Sequence, residues 1–441
     1  MQPKNHAEEA DQGELFRSRL DQILDHQHPL FQLADAIDWE LFAKKFGIFF
    51  DENIGRPALP TRLVVGLHYL KYTFSESDES VVDRLQENPY WQYFCGFEYF
   101  QHGLPCDPSS LVHWRQRVGS DGIEELLRET VVLAKRKKLL KKKDMAKVNV
   151  DTTVQEKHIT FPTDSKLYHR MRIKLVKLAK RYGILLRQSY ERLGKKAFHR
   201  QGRYRHAQQM KRAKKEVKKL RNYLGRVIRD ILRQAPNPDF LLGEMLGLGE
   251  RIYHQKREDK KKVYSIHAPE VECICKGKDH KKYEFGCKAS VVSTSKNNWV
   301  IGAKAHHENP YDGHTLKESL DQSERLTGWQ AKEAHVDRGY RGALGISEAV
   351  TIHVAGKRKK HLSRSLQKWM KRRSAIEPMI GHLKSDNRLS RNYLKGKQGD
   401  EINVLLAGCG YNMRKLFWAF FLSFFGWFNF IPLRQNRFQV V

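Results

Sequence analysis

Ala334-His335-Val336-Asp337-Arg338-Gly339-Tyr340-Arg341-Gly342 reads as a short strand that ends on an acid and turns at glycines. A carboxylate at a strand end sits at the rim of a sheet, where chemistry is commonly placed. A second run, Val148-Asn149-Val150-Asp151-Thr152-Thr153-Val154, reads as another strand with its acid at the centre. The third acid is Glu377, in Arg373-Ser-Ala-Ile-Glu377-Pro-Met-Ile-Gly-His-Leu-Lys384. On a single helix at about 100° per residue, Arg373, Glu377 and Lys384 share one face. A Glu between two cations is also what an exposed salt-bridge ladder looks like, worth a few tenths of a kcal/mol. The two strand acids favour the other reading, a set of Asp, Asp and helical Glu suited to a hard divalent cation. His335 shares the Asp337 face and reads as a packed histidine.

Charge points the same way. Lys and Arg number 81 against 50 acids, a formal net charge of +31, which implies a polyanionic partner. Nucleic acid comes first and an anionic membrane surface second; a ribosome-bound or solvated basic protein is the bland alternative. A chain of 441 residues with 40% hydrophobic content can build two or three domains. Met1 to Leu20 is polar and acidic, so a cytosolic protein without a signal peptide is expected. Six cysteines in this length do not suggest a disulfide framework. Cys273, Cys275, His280 and Cys287 offer one Cys-x-Cys but not the paired-knuckle spacing of a zinc module.

Before the first acid the chain reads as helical. A short amphipathic helix is expected across Pro29 to Phe46, then helices from Thr61 and Ser80, and an aromatic cluster from Tyr90 to Phe100 suited to a core. Asp107-Pro108 supplies a cap and a first-turn proline for a helix over Leu111 to Val118 that ends at Gly119. A short basic helix preceded by others is what a helix-turn-helix reader presents to a major groove, with Ser109, Ser110, His113, Arg115 and Arg117 as candidate contacts. A solvated basic face fits equally. Another helix follows from Asp121 to Leu140, running into the basic link Lys135 to Lys143. Past the Asp151 strand, Val154 to Pro162 continues or pairs with it, and Asp164 to Gln234 reads as two long basic helices, either a clamp on DNA phosphates or a solvated hairpin. A strand hairpin turns at Lys296 to Asn298, a helix covers His314 to Leu326, and another covers Asp400 to Tyr411. The tail from Leu416 to Pro432 is aromatic, but its apolar run is shorter than the roughly 20 residues of a membrane helix. Gly426, Asn429 and Pro432 interrupt it, so a core or subunit-interface helix is expected rather than a membrane anchor.

The order Asp151, Asp337, Glu377, with Asp-Arg-Gly-Tyr-Arg-Gly and Arg-x3-Glu-x6-Lys around the last two, resembles the transposases of the bacterial insertion sequence five family. The stretch from Gly55 to Gly119 resembles that family's amino-terminal domain. The family signature has a Tyr three residues before the Arg, where this chain has Met370. The resemblance implies an α/β fold: a ribonuclease H-like catalytic core at 144–396 with a basic helical insertion at about 164–235. An all-α DNA-binding domain at 1–143 would precede it, and a helix with an aromatic tail at 397–441 would follow. It also implies Asp151, Asp337 and Glu377 as catalytic ligands for Mg²⁺ or Mn²⁺, and Arg373 and Lys384 as DNA contacts. The partners would be double-stranded inverted repeats and target DNA, bound by a homodimer or larger assembly at the bacterial nucleoid. A nuclease that cuts but never joins, and a non-catalytic DNA-binding protein, are the rival readings.

Overall fold

The computed structural model describes residues 18–51, 57–275, 282–342, 349–356 and 363–425, with side chains to 421. The expected helix at 29–46 is two, Pro29–Ala36 and Trp39–Gly47, because the Asp38 carboxylate accepts the Leu41 N–H and starts the second. Helices Thr61–Thr73, Asp78–Glu87 and Pro89–Phe94 follow, the last two opened by a Ser77/Ser80 capping box and by Asn88 with Pro89. Pro108–Arg136 is capped by Asp107 and breaks at Gly119, whose φ of 71° only glycine adopts without strain.

The sheet is built on β1 (Lys147–Lys157), the strand expected from its alternation. Strand β2 (Glu272–Ile274) pairs with the start of β3 (Glu284–Thr294), and β3 runs antiparallel to β1 with Asp151 opposite Val291. The expected hairpin is β3 with β4 (Val300–His306). On the other side of β1, β5 (Glu333–Val336) is parallel to it, and β6 (Thr351–Val354) is parallel to β5. Strand β7 (Arg391–Asn392) pairs with the far end of β1. The main order is therefore β4-β3-β1-β5-β6.

Successive side chains of β1 point to opposite faces. Thr152 donates to Asp312 at the start of helix Asp312–Thr327, whereas Gln155 donates to the Asp400 carbonyl in helix Gly396–Phe425. The two helices thus cover opposite faces. Between β1 and β2 lie four helices, Asp164–Arg181, Glu191–His206, Met210–Gln234 and Phe240–His254, the first three filling the span from Asp164 to Gln234 where two were expected. They close a core of their own through Leu167, Met171, Leu175, Leu224, Ile228 and Ile252. That answers how helices so rich in Lys and Arg fold: each needs only one apolar stripe.

Apart from a small cluster of Leu20, Leu24 and Phe31, the described amino-terminal helices share the core of the sheet. Residues such as Phe42, Leu67, Leu126, Val150, Ala303 and Leu406 belong to one continuous cluster reaching from helix Trp39–Gly47 through the sheet to the carboxy-terminal helix. Inside the helical part lies a polar network. Arg115 makes a two-pronged bond to Asp78 at 2.8 and 2.7 Å, Lys71 adds a third at 2.8 Å, and the fully buried His68 lies 3.2 Å from Arg115. Burial alone would raise the Asp78 carboxyl, but Arg115 and Lys71 hold it well below the usual range. Burial, reinforced by the Arg115 charge, pulls the His68 imidazole down to about 3.

An unfolded chain takes a proton on histidine near pH 6.5, while the folded protein refuses one on His68 until about 3. Stability from this site is therefore complete above about pH 6.5 and declines as pH falls through that window. Urea denaturation of His68→Gln from pH 7 to 4 should show a shallower loss than the parent; equal slopes would remove His68 as a cause.

Candidate active site

Parallel pairing sets the site. Lys147 stands beside Glu333, Val148 beside Ala334, and Asn149 beside His335; the same register carried two residues further puts Asp151 next to Asp337. Both are partly buried. Asp151 accepts the Thr152 N–H at 2.7 Å, and Asp337 accepts the Gly339 N–H at 2.8 Å, capping the tight turn Arg338–Tyr340. Each side chain is thus oriented by its own backbone.

Tyr340 is buried under this pair. Burial, then the fields of Asp151, Asp312 and Asp337, push its phenol well above the ordinary value, so it stays protonated beside the acids. Asp312 is the residue that sequence reasoning missed. It accepts Thr152 Oγ1 at 2.9 Å and Lys288 Nζ at 2.8 Å, while Lys288 also donates to the Pro310 carbonyl. Its other oxygen flanks Gly339: a Cβ there would lie 2.7 Å from Asp312 Oδ2 and 3.1 Å from Asp337 Oδ1. The available signal was an Asp in the first turn of a helix, which ordinarily reads as a partner for the helix dipole.

Glu377 comes from below the same strand. Its helix, Ile376–Ser385, packs against β1, and Lys384 lies two turns on. The single helix expected from Arg373 to Lys384 is instead two. Arg364–Arg373 ends first, and the join tightens through Ala375 N–H to Arg372 and Glu377 N–H to Ser374, both bonds spanning three residues. Arg373 still reaches Glu377, at 3.5 Å. Glu377 is 65% exposed and Arg373 only 13%. The ligand oxygens of Asp151, Asp337 and Glu377 are not gathered within 4.8 Å of one another; among the described residues only Glu333, His335 and His353 form such a group.

With this geometry in place, comparison with known proteins is informative. Residues 18–117 match the family described as Transposase domain (DUF772), and residues 251–413 match the Transposase DDE domain. The chain belongs to the DDE transposases. An uncharacterized protein of Rhizobium meliloti, ORF8 in the nfe locus, is 51% identical over 197 residues, 45% of this chain and 95% of that protein. No solved structure matches. The transposase's DDE match contains Asp337 and Glu377 but begins after Asp151, which lies across the helical insertion in sequence. Pairing of β1 with β5 restores the proximity that the insertion removes from the linear order.

The candidate reader contacts divide. Ser109, His113 and Arg117 are exposed on helix Pro108–Arg136, Ser110 is partly so, and Arg117 lies over the Phe50 ring at 5.0 Å. Arg115 does not belong with them. It is 2% exposed and bound to Asp78, because its position faces helix Thr61–Thr73 across the core. Of the cysteines weighed for zinc, Cys287 is buried on β3 against Gln155, Cys275 is exposed, and His280 lies outside the described residues.

Two outcomes follow. Arg115→Ala removes two of the three bonds to Asp78, leaving it to Lys71 alone, and empties a buried site, so it should cost about 2 kcal/mol or more of stability by denaturant titration, whereas Arg117→Ala should leave stability within about 0.5 kcal/mol. Gly339→Ala should force Asp312 and Asp337 apart and lower DNA cleavage at least tenfold with DNA binding retained; parental cleavage would show that the carboxylate spacing is unimportant.

Proposed function

We propose that this transposase is of the insertion sequence five type, binds the terminal inverted repeats of its element, cuts at their ends and joins them to target DNA. The observation that carries the reading is the parallel register that brings Asp151 beside Asp337, with the Glu377 helix against the same strand. The order β4-β3-β1-β5-β6, antiparallel then parallel with helices on both faces, supports a ribonuclease H-like core. Residues 1–143 would serve as the reader, 144–396 as the core and 397–441 as the closing segment.

The donor set fits a hard cation: carboxylate oxygens, with the Tyr340 phenol kept neutral nearby. Asp151, Asp337 and Glu377 would hold Mg²⁺ or Mn²⁺, which when bound supplies an activated oxygen nucleophile and a stabilised leaving oxygen. The protein's own residues do the rest. Thr152 and Gly339 amides fix the two Asp rotamers, Lys288 balances Asp312 behind them, and Arg373 beside Glu377 offers a guanidinium to a phosphate at the element end, with Lys384 further along. Water breaks a phosphodiester and leaves a 3′-hydroxyl; that hydroxyl then displaces a target 3′-oxygen, one ester bond formed for each broken, so no external energy source enters.

A cavity of about 920 Å³ lies at the Lys147 end of β1, where Lys143, Lys147, Lys296, Lys368, Lys371 and Arg372, with Asp144 and Trp369 among them, offer a cationic wall to a DNA backbone; none of the three acids lines it. No helix among the described residues is long and apolar enough to cross a membrane. Leu416 and Phe420 are buried against protein, with Lys137 over the Phe420 ring, and Phe417 packs on the same core, whereas Trp418 is half exposed; the tail beyond 425 lies outside the described residues. A homodimer or larger assembly at the nucleoid completes the reading.

Glu377→Gln, Asp151→Asn and Asp337→Asn should each lower Mg²⁺-dependent cleavage and joining of repeat-end duplexes by several orders of magnitude while repeat binding persists. Pairs of these changes should add little to either alone, as groups acting together are non-additive. Joining at parental rates by Glu377→Gln would sink the assignment, and cleavage without joining of precut ends would favour the nuclease.

A further inference from the structure

Glu333 and His335 are two apart on β5 and share a face; His353 stands directly opposite His335 on β6. Their ligand atoms all lie within 4.8 Å of one another. Glu333 Oε2 is 3.3 Å from His353 Nε2 and 3.9 Å from His335 Nε2. Bonds of about 2.0–2.1 Å in a tetrahedron put neighbouring donors about 3.3 Å apart, close to the Glu333–His353 separation.

Hydrogen bonding at His335 is the second, independent observation. The ring is 0% exposed and its Nδ1 lies 3.3 Å from the Val148 carbonyl, a pure acceptor, so Nδ1 carries the proton. Nε2 of the neutral ring then presents a lone pair. It has no hydrogen-bond partner and faces a carboxylate oxygen, which is also an acceptor. A buried lone pair with no donor is costly, and a cation held against it would satisfy it. An imidazole whose far nitrogen donates to a backbone carbonyl is also the usual support for a metal-binding histidine. Lys147 Nζ bridges both carboxylate oxygens of Glu333, 2.9 Å from Oε1 and 3.0 Å from Oε2, and lies over Trp369, but makes no bond to His335 Nε2.

We propose that Glu333, His335 and His353 bind a single first-row transition ion, zinc by preference, at a site distinct from the carboxylate triad. Two imidazoles and one carboxylate favour zinc over magnesium, and the partial exposure of Glu333 and His353 leaves a fourth position for water. On binding, Lys147 gives up its bond to Glu333 Oε2 and keeps the one to Oε1 while Oε2 takes the ion. The ion fastens the short strand β6 to β5 two residues before Asp337, so its role is to position the strand that delivers that acid.

The test uses the full chain, stripped with chelator and titrated with Zn²⁺ against a competing chelator, and separately with Co²⁺ followed by absorption. One site is expected whose affinity falls at least tenfold in His353→Ala and Glu333→Gln, both partly exposed positions whose folding is checked by circular dichroism. It should persist in Asp151→Asn with Asp337→Asn and in Cys273→Ser with Cys275→Ser. The Co²⁺ spectrum should show bands without thiolate charge transfer. Zinc affinity unchanged in folded His353→Ala, a thiolate band lost with the cysteines, or no zinc binding by the parent chain would each overturn the proposal.

Discussion

Everything chemical in this transposase depends on β1 being paired on both edges. Against β3 it is antiparallel for nine residues, and that long ladder fixes its twist and facing. Against β5 the backbone forms only three parallel pairs, yet they set which acids meet. A slip of one residue would turn Asp151 to the opposite face, toward helix Asp312–Thr327, and separate it from Asp337. The far end of β1 is held too: Lys157, nearly buried, bonds Glu270 at 2.9 Å and Asp400 at 2.8 Å, tying the strand to the return of the insertion and to the carboxy-terminal helix.

The strands bearing the acids were legible because their signal is local. Val148 to Val154 alternates, Ala334 to Gly342 ends in a glycine turn, and the hairpin between β3 and β4 is marked by Asn297-Asn298, the latter at a φ of 52°. The proximity of Asp151 and Asp337 was not legible in that sense, since pairing between strands some 180 residues apart leaves no periodic trace; it came from resemblance. Asp312 escaped for the same reason, as its partners Thr152 and Lys288 lie on two other strands. Arg115 went wrong through a rule that is usually safe, that arginine on a basic helix faces solvent. Its Asp78 partner lies 37 residues earlier on another helix, and only the tertiary fold shows that the guanidinium is neutralised inside.

The insertion illustrates what composition can and cannot say. Its charge is surplus cation, which reads as phosphate binding whether the helices are two or four. Its fold rests instead on leucine, isoleucine and methionine stripes that close a second core, independent of the sheet. Such a unit can sit between β1 and β2 without disturbing either, because the main-chain connection enters near His158 and returns near Glu270, where Lys157 draws both ends to one place.

Helix Gly396–Phe425 bears on how recognition and chemistry are coupled. It packs on Thr61–Thr73, on Pro108–Arg136 and on β4 at once. At Gly410 a Cβ would collide with the Tyr72 backbone, so the two helices meet backbone to backbone. Tyr72 also donates to Asn403 at 2.7 Å, and Asn412 joins Thr130 of helix Pro108–Arg136 to Val300 of the sheet. Each fully buried leucine along this helix, such as Leu406 or Leu416, contributes roughly 1.5–3 kcal/mol by burial alone. Amino-terminal helices joined to the sheet by this much shared core cannot swing on a linker. Under the proposed reading, DNA held on the exposed side of helix Pro108–Arg136 would meet the Asp151 strand at an angle set by packing, and any adjustment that brings Glu377 to the two aspartates would come from its own short helix and the tightened join before it.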